Sequence, residues 1–540
     1  MSACIGRWRA TCSRSLRRPN QGIAPPFGWS ASKEMRNGGL PTKHFAGTRT
    51  FTARLVSEAK FHHPTWPSCS SVSKQFRRSR HGSLQSSHRA FIALGSNLGD
   101  RVAMIEQACK EMDASGRMRV VRTSSLWETN AMYVVDQDKF VNGACEVETS
   151  LSPIDLLDEL QAIEKKMGRV KIIDKGPRNI DLDILLYDDL TFTNERLQIP
   201  HKLMLEREFV LRPLCEIIPP DLPDQNSGKS SLHECLSKLP ASDMPLSPMI
   251  PLSARLPPIS SLQADRETRI MSILNLTPDS FSDGGQHFNI DQTTLANTIK
   301  SHVADGATII DVGGQSTRPG AIQVSLAEEL SRVLPAIKLI RSLPEAKKVA
   351  ISIDTYRADV AEEAINAGAD FVNDISAGVM DERMLHTVAK LGCTICLMHM
   401  RGTPETMNTL TAYPHGIVET VGRELLERVR AAEAAGIRRW RIILDPGIGF
   451  AKTQEQNLDL LRRQAELRNF PGLEGLPWLV GTSRKGFIGN VTGAKKASTR
   501  VWGTAAAITA AIQGGADVVR VHDVEPMAQV AKMADAIWRR

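Results

Sequence analysis

The chain has 540 residues, of which 42% are hydrophobic, 24% charged and 5% aromatic, an ordinary globular mix that excludes a wholly disordered or fibrous protein. The length allows two to four domains of roughly 100 to 200 residues each, and no run approaches the roughly 18 apolar residues of a spanning helix, which excludes a multipass membrane protein. The net charge of +7 resides in the N-terminal segment: residues 1–90 hold 16 Lys and Arg against two acids, Glu34 and Glu58, so the remainder is mildly acidic and gives no reason to expect nucleic-acid binding.

Residues 1–88 read as a basic, disordered tail or a transit peptide. They are rich in Arg and Ser without a sustained period, and Arg7, Arg9 and Arg14 interrupt the one candidate secretory stretch. The composition fits an organellar presequence, with the mitochondrion as destination. A disordered extension of a cytoplasmic protein and a misplaced start codon are the alternatives. Three of the nine cysteines lie in the tail and the rest are scattered, so reduced thiols are expected. Cys393 and Cys396 form one CxxC, but GCTICLMHM reads as an apolar strand and no second CxxC completes a zinc site.

Residues 89–222 contain three denser signals. FIALGSNLGDR is an apolar strand followed by a loop from Gly95 to Gly99, without the Gly-Lys-Ser/Thr ending of a Walker loop. LQAIEKKMGR is amphipathic and ends on basic residues, including Arg169. In GPRNIDLDILLY, alternation puts Asp181 and Asp183 on one strand face and Ile180, Leu182 and Ile184 on the other. Two carboxylates behind Arg178 suit Mg2+ and a polyphosphate. A solvated strand face is the alternative reading.

With FVNGA, GRV, IPH and REFVLRPL, these motifs resemble 6-hydroxymethyl-7,8-dihydropterin pyrophosphokinase across about 130 residues. The resemblance implies a ferredoxin-like α+β sandwich that moves diphosphate from ATP to the pterin CH2OH. It implies that Asp181 and Asp183 hold two Mg2+ ions and that Arg169 and Arg178 balance phosphate charge. Gln161, Arg196, His201 and Arg207 match ATP-contacting positions, and Asn142 and Phe209 pterin-contacting ones. Lys175 stands where relatives often carry Trp, the 170–175 loop is one residue shorter, and Asn130 and Ala131 replace customary prolines. The carboxylates and both arginines remain, so activity is expected.

Residues 223–262, rich in Pro, Ser and Leu, read as a linker or a partly packed strap. From 263 to 540, eight apolar runs alternate with helical patterns. They end at or near Asn275, Asp311, Asp354, Asn373 and Asp374, His399, Asp445, Lys485, and Arg520 with His522. Eight such units predict a (β/α)8 barrel with its site where the strands end. A doubly wound open sheet is the runner-up, but no GxGxxG loop supports it. Any one strand-end Asp or Asn could merely cap a helix; polar groups at six strand ends read as a site. Arg318, Lys485, Arg520 and His522 suit an anion, while Asp354, Asn373 and Asp445 suit a flat heterocycle with N–H donors. The Gly- and Pro-punctuated loops 277–285 and 313–321 are candidate lids.

ILNLTPDSFSDGG, IIDVGGQSTRPG, NDISAG, LMHM, LDPGIGF, GTSRKGFIG and VRVHD resemble dihydropteroate synthase in the family's order. The resemblance implies that 4-aminobenzoate displaces diphosphate from the pterin methylene. It implies Mg2+ at Asn275, with Arg318, Arg520 and His522 on the diphosphate. Asp354, Asn373, Asp445 and Lys485 would bind the pterin, with Met398 against the ring and Val521 counted among the substrate-binding residues. Thr317, Arg318 and Pro319 would form a mobile loop over the 4-aminobenzoate site beside Phe450 and Ser483, with Arg318 and Lys485 serving the chemistry. Gln315 stands where many members carry Glu. The first domain's product would be the second's substrate. The expected partners are therefore dihydropterin, ATP and 4-aminobenzoate, with a homodimer formed through the barrel and no membrane partner. A pterin-binding methyltransferase-like barrel, and a binding protein with an inactive kinase domain, are the alternatives. Residues 1–90 are too short and weakly patterned for a dihydroneopterin aldolase domain, so no aldolase activity is expected.

Overall fold

The computed structural model describes residues 87–131, 137–169, 176–218, 231–240, 246–277, 291–316 and 322–539. The tail reading for 1–86, Lys175 with its short loop, most of loop 277–285, and Thr317, Arg318 and Pro319 lie outside the described residues.

Strand β1 (His88–Ser96) is buried on both faces, which is why FIAL reads as a continuous apolar run. Ala90, Ile92 and Leu94 point into one core, and Phe91 and Ala93 into another. The first core is roofed by α1 (Arg101–Ala114), which starts where the Asp100 carboxylate accepts from Ala103 N. The chain continues through β2 (Met118–Thr123), β3 (Leu126–Thr129) and β4 (Phe140–Thr149). Helix α2 (Pro153–Lys166), capped by Ser152 with Pro153 in its first turn, lies beside α1. After β5 (Asp181–Tyr187) and the hairpin β6 (Phe192–Thr193) and β7 (Gln198–Ile199), α3 (Glu208–Ile217) and α4 (Leu232–Lys238) cover the second core.

The sequence from 223 to 262 does more than connect. It carries α4 and two strands, β8 (Ser247–Ile250) and β9 (Ile259–Ser260). These extend the first domain's antiparallel sheet to the order β5-β1-β4-β3-β8-β9, with β2 also on β4. Ile250, Leu252 and Ile259 then pack on Met271, Ile309, Phe371, Ile443 and Val518 and plug the end of the barrel where its strands begin.

The barrel alternates β10 (Arg269–Asn275), α5 (Gln292–Ala304), β11 (Ile309–Gly313), α6 (Leu326–Ser342), β12 (Ala350–Asp354), α7 (Ala358–Asn366), β13 (Phe371–Asp374), α8 (Met384–Leu391) and β14 (Thr394–Met398). It continues with α9 (Ile417–Ala434), β15 (Ile442–Asp445), α10 (Gln454–Arg462), α11 (Gln464–Arg468), β16 (Leu479–Val480), α12 (Gly486–Thr492), α13 (Val501–Gln513), β17 (Val518–Val521) and α14 (Val524–Trp538). All neighbours are parallel in the order β15-β14-β13-β12-β11-β10-β17-β16, and a Leu444–Trp478 bridge joins the ends. Cys396 faces the barrel interior and Cys393 the helical layer, so the CxxC thiols share no face and cannot be joint ligands.

The first domain docks on the strand-start end of the barrel, through the turn Arg439–Arg441 that precedes β15. Trp440 is fully buried in the first domain's core. Arg439 N donates to Thr123 Oγ1 at 3.1 Å, and Arg438 pairs with Asp113 at 2.8 Å. The barrel mouth opens at the opposite end. Among the described residues no helix is long and apolar enough to cross a membrane.

Two candidate active sites

In the first domain, Asn142, Gly95 and Asp181 lie side by side across β4, β1 and β5. A Cβ on Gly95 would sit 3.4 Å from Asn142 Oδ1 and 3.6 Å from Asp181 Cβ, so the three residues are in van der Waals reach of one another. This row borders a cavity of about 160 Å³ lined by Phe140, Asn142, Arg178, Asp181, Asp183, His201, Arg207 and Phe209. Asp181 accepts from Arg169 Nη2 at 2.6 Å and Arg178 Nη1 at 2.7 Å. Desolvation and then Asp183 push the Asp181 carboxyl above its usual range; Asp183 is pushed the same way by desolvation and then Glu164. Two desolvated carboxylates are a fitting hard-oxygen pair for a divalent cation, whose remaining ligands would be phosphate and water. Asn142 Nδ2 donates to Thr129 Oγ1 at 2.8 Å, and the Arg207 guanidinium lies 5.8 Å from the Phe209 ring centre. Desolvation and Arg207 lower His201.

At the barrel mouth the cavity is about 670 Å³, lined among others by Asn275, Gln315, Asp354, Phe450, Ser483, Lys485, Arg520 and His522. Arg520 Nε donates to Asp311 at 2.6 Å and its Nη2 to Asp354 at 2.7 Å. Those two carboxylates keep the guanidinium charged against desolvation. Asn373 Nδ2 donates to Asp311 at 3.3 Å. Burial pushes Asp354 up to about 7, Arg520 opposing, and also raises Asp445, Lys485 opposing. Burial lowers Lys485 to about 8; its ammonium stands 4.8 Å from the Phe450 ring centre and donates to Ile448 O. Ser483 Oγ accepts from His522 N at 3.1 Å. Met398 packs with Tyr356 and Ile375, against Phe450. The Asn275 amide oxygen lies beside Gly313, where a Cβ would meet it at 3.5 Å, an ordinary van der Waals distance. It is an oxygen donor facing the cavity and fits a hard cation.

Residues 91–219 match the 7,8-dihydro-6-hydroxymethylpterin-pyrophosphokinase family, and residues 271–522 match the pterin binding enzyme family. The chain is 39% identical over 471 residues to the mitochondrial folate synthesis bifunctional protein of Arabidopsis thaliana, covering 84% of each chain. The chain belongs to the bifunctional folate synthesis family. It is also 48% identical over 452 residues to the folic acid synthesis protein fol1 of Pneumocystis carinii, covering 83% of this chain and 60% of that one. The chain thus spans about three fifths of the length of that fungal relative. The crystal structure of Plasmodium falciparum HPPK-DHPS with pteroate shares the fold, at TM-score 0.71 and 21% identity over 84% of this chain and 98% of that one.

Within this family fold, most of the expected side chains converge on the two cavities. Three do not. Gln161 and Arg196 touch each other at 3.5 Å on the exposed surface and line neither cavity. The Val521 side chain is fully buried in the layer between barrel and helices, because alternation turns Arg520 and His522 inward and Val521 outward, so it offers the mouth no side chain. Asn373 and Asp445 are buried and reach the mouth through Asp311–Arg520 and Lys485.

Sequence reasoning missed other groups. Asn97 bridges two segments of the kinase site: its Oδ1 accepts from Arg178 N at 2.7 Å and its Nδ2 donates to Gln137 at 3.1 Å. Glu164 is buried beneath Asp181, accepting from Leu182 N at 2.8 Å and pairing with Arg169. Asp311, named above among the polar residues at the ends of the apolar runs but given no role there, sits in the middle of its strand and anchors Arg520. Gln315 Oε1 is buried beside the cavity with no hydrogen-bond partner among the described residues. Arg484, at φ +59°, pairs with Asp523 and ties together the two loops that carry Lys485 and His522.

Proposed function

We propose that the chain performs two consecutive steps of folate biosynthesis. At the first site the pterin hydroxyl attacks the β-phosphorus of ATP, AMP leaves, and the hydroxymethyldihydropterin becomes its diphosphate. Asn142 and Phe209 would hold the pterin, His201 and Arg207 the nucleotide, and Arg169 and Arg178 the transferring phosphates. Gln161 and Arg196 would join the nucleotide site at its exposed edge. Mg2+ held by Asp181 and Asp183 would supply charge neutralisation of those phosphates.

At the barrel mouth, the 4-aminobenzoate nitrogen would form a bond to the pterin methylene as the C–O bond to diphosphate breaks and the amine loses a proton. Arg520, His522 and Arg318 receive the departing anion, and Mg2+ at Asn275 would add to its neutralisation. Asp354, Asn373, Asp445 and Lys485 grip the pterin, whose developing positive charge the carboxylates stabilise. Phe450 and Ser483 would border the 4-aminobenzoate, where the resemblance also puts Thr317, Arg318 and Pro319. The observation that carries this reading is Arg520, fixed between Asp311 and Asp354 beside Lys485 and His522, so that anion-binding and heterocycle-binding groups share one mouth.

The barrel would form a homodimer through α13 and α14, which leave Trp502, Met533 and Ile537 exposed. The mitochondrial names of the Arabidopsis and pea relatives support that compartment for this chain. The function is tested with Asp183→Ala and Lys485→Ala in the full chain. The first should abolish AMP formation while supplied pterin diphosphate is still condensed with 4-aminobenzoate. The second should do the reverse. Loss of both activities in either variant would refute the two-site division.

A further inference from the structure

The loop after β15, residues 446–451, carries Phe450 and closes over the end of β14. Besides the bonds from Gly447 N to Asp445 and from Lys485 to Ile448 O, its shape is fixed by a ring of polar contacts around Lys452 and His399. Lys452 Nζ donates to His399 Nδ1 at 2.9 Å, Gly447 O at 3.0 Å and Phe450 O at 3.0 Å. His399 is 3% exposed, and its Nε2–H donates to Glu424 at 2.9 Å, leaving Nδ1 as an acceptor. Glu424 also accepts from Arg401, whose guanidinium lies 4.1 Å from the Tyr413 ring centre. Tyr413 Oη donates to Ala451 O at 3.0 Å and closes the ring.

Burial lowers Lys452 to about 7, yet its nitrogen faces three acceptors, an arrangement only the ammonium satisfies. With all three N–H bonds donated to protein atoms, Lys452 has none left for a substrate anion, although it borders the cavity. Space around the loop is fixed just as tightly. Gly447 has φ +65°, and a Cβ there would lie 1.9 Å from His399 O. Ala451 also sits in the left-handed region, at φ +51°.

We propose that Lys452 is a positioning residue for the 4-aminobenzoate half of the synthase site, holding the 446–451 loop on His399 so that the Phe450 ring faces the cavity. This rests on the synthase reading above. The Asp445 backbone is fixed by the strand pairing Met398–Asp445, although its carboxylate also accepts from Gly447 N at 2.7 Å, so the pterin half is predicted to respond to Lys452 much less than the 4-aminobenzoate half.

The test is steady-state condensation by the full chain, with KM measured for each substrate. Lys452→Met should raise KM for 4-aminobenzoate about tenfold and leave KM for the pterin diphosphate within about twofold. Because Lys452 acts through Phe450, adding Lys452→Met to Phe450→Ala should change KM by less than about twofold further. Equal rises in both KM values, a fall in kcat alone, or additive effects in the double variant would overturn the proposal. Should Lys452→Met fail to fold, Tyr413→Phe opens the ring from its other side. It should raise the same KM about threefold; an unchanged value overturns the proposal as well. A wild-type chain that condenses nothing would instead remove the functional reading itself, and this inference with it.

Discussion

Glu106, on the kinase domain, accepts from Trp440 Nε1 at 3.0 Å and from Arg441 Nε and Nη2 at 2.7 and 2.8 Å, all supplied by the barrel. The indole is fully buried in the kinase core, and β8 from the connecting segment completes the kinase sheet. The two domains therefore share a core rather than hanging on a tether. Trp440→Ala should cost about 3–5 kcal/mol and split a single thermal transition into two, as read by calorimetry. One unshifted transition would show the domains to be independent.

The kinase sits on the end of the barrel where the strands start, and the mouth opens at the other end. On the proposed function, the opposed placement predicts that the pterin diphosphate crosses solvent between the sites. Unlabelled pterin diphosphate added to a reaction running from labelled hydroxymethyldihydropterin should dilute the label in dihydropteroate in proportion to its concentration. Undiluted product would mean direct transfer.

Gly447→Ala places a methyl against the His399 carbonyl in a left-handed backbone. Condensation should fall by at least about a hundredfold, an expected cost of misplacing the loop that flanks Asp445 and Phe450. AMP formation at the kinase site should persist, and both products can be followed chromatographically.

Burial lowers His399 from its usual value to about 4, with Lys452 adding to the effect. Between its unfolded pKa of about 6.5 and the folded value, the unfolded chain binds a proton that the folded chain refuses. Stability contributed by this histidine is therefore lost as pH falls across that window, by up to about 3 kcal/mol. Asp354 and Asp374, raised to about 7 and about 6, have the opposite sign and gain stability as pH falls. The histidine's part is isolated by comparison: His399→Gln should flatten the fall in Tm between neutral and acid pH. Parallel pH profiles would refute it.

Much of this was legible because the patterns are local. Strands covered on both faces are apolar throughout, so all eight barrel strands stand out, and period-2 alternation alone pairs Asp181 with Asp183. The same alternation turns Val521 outward, and there family motif and strand geometry disagree. Strands β8 and β9, of four and two residues in a Pro-rich stretch, are too short to show a period. Trp440 lies in a three-residue turn, and its meaning depends on a surface 334 positions away in sequence. Lys452 and His399 are each readable as loop and strand-end residues, but only the fold puts them in contact.

The most direct test of the account is a coupled assay on the purified full chain with ATP, Mg2+, 6-hydroxymethyl-7,8-dihydropterin and 4-aminobenzoate. The account predicts AMP and dihydropteroate together, with dihydropteroate lagging behind AMP as the intermediate accumulates. AMP without dihydropteroate would contradict the synthase assignment of the barrel, and neither product would contradict the account as a whole.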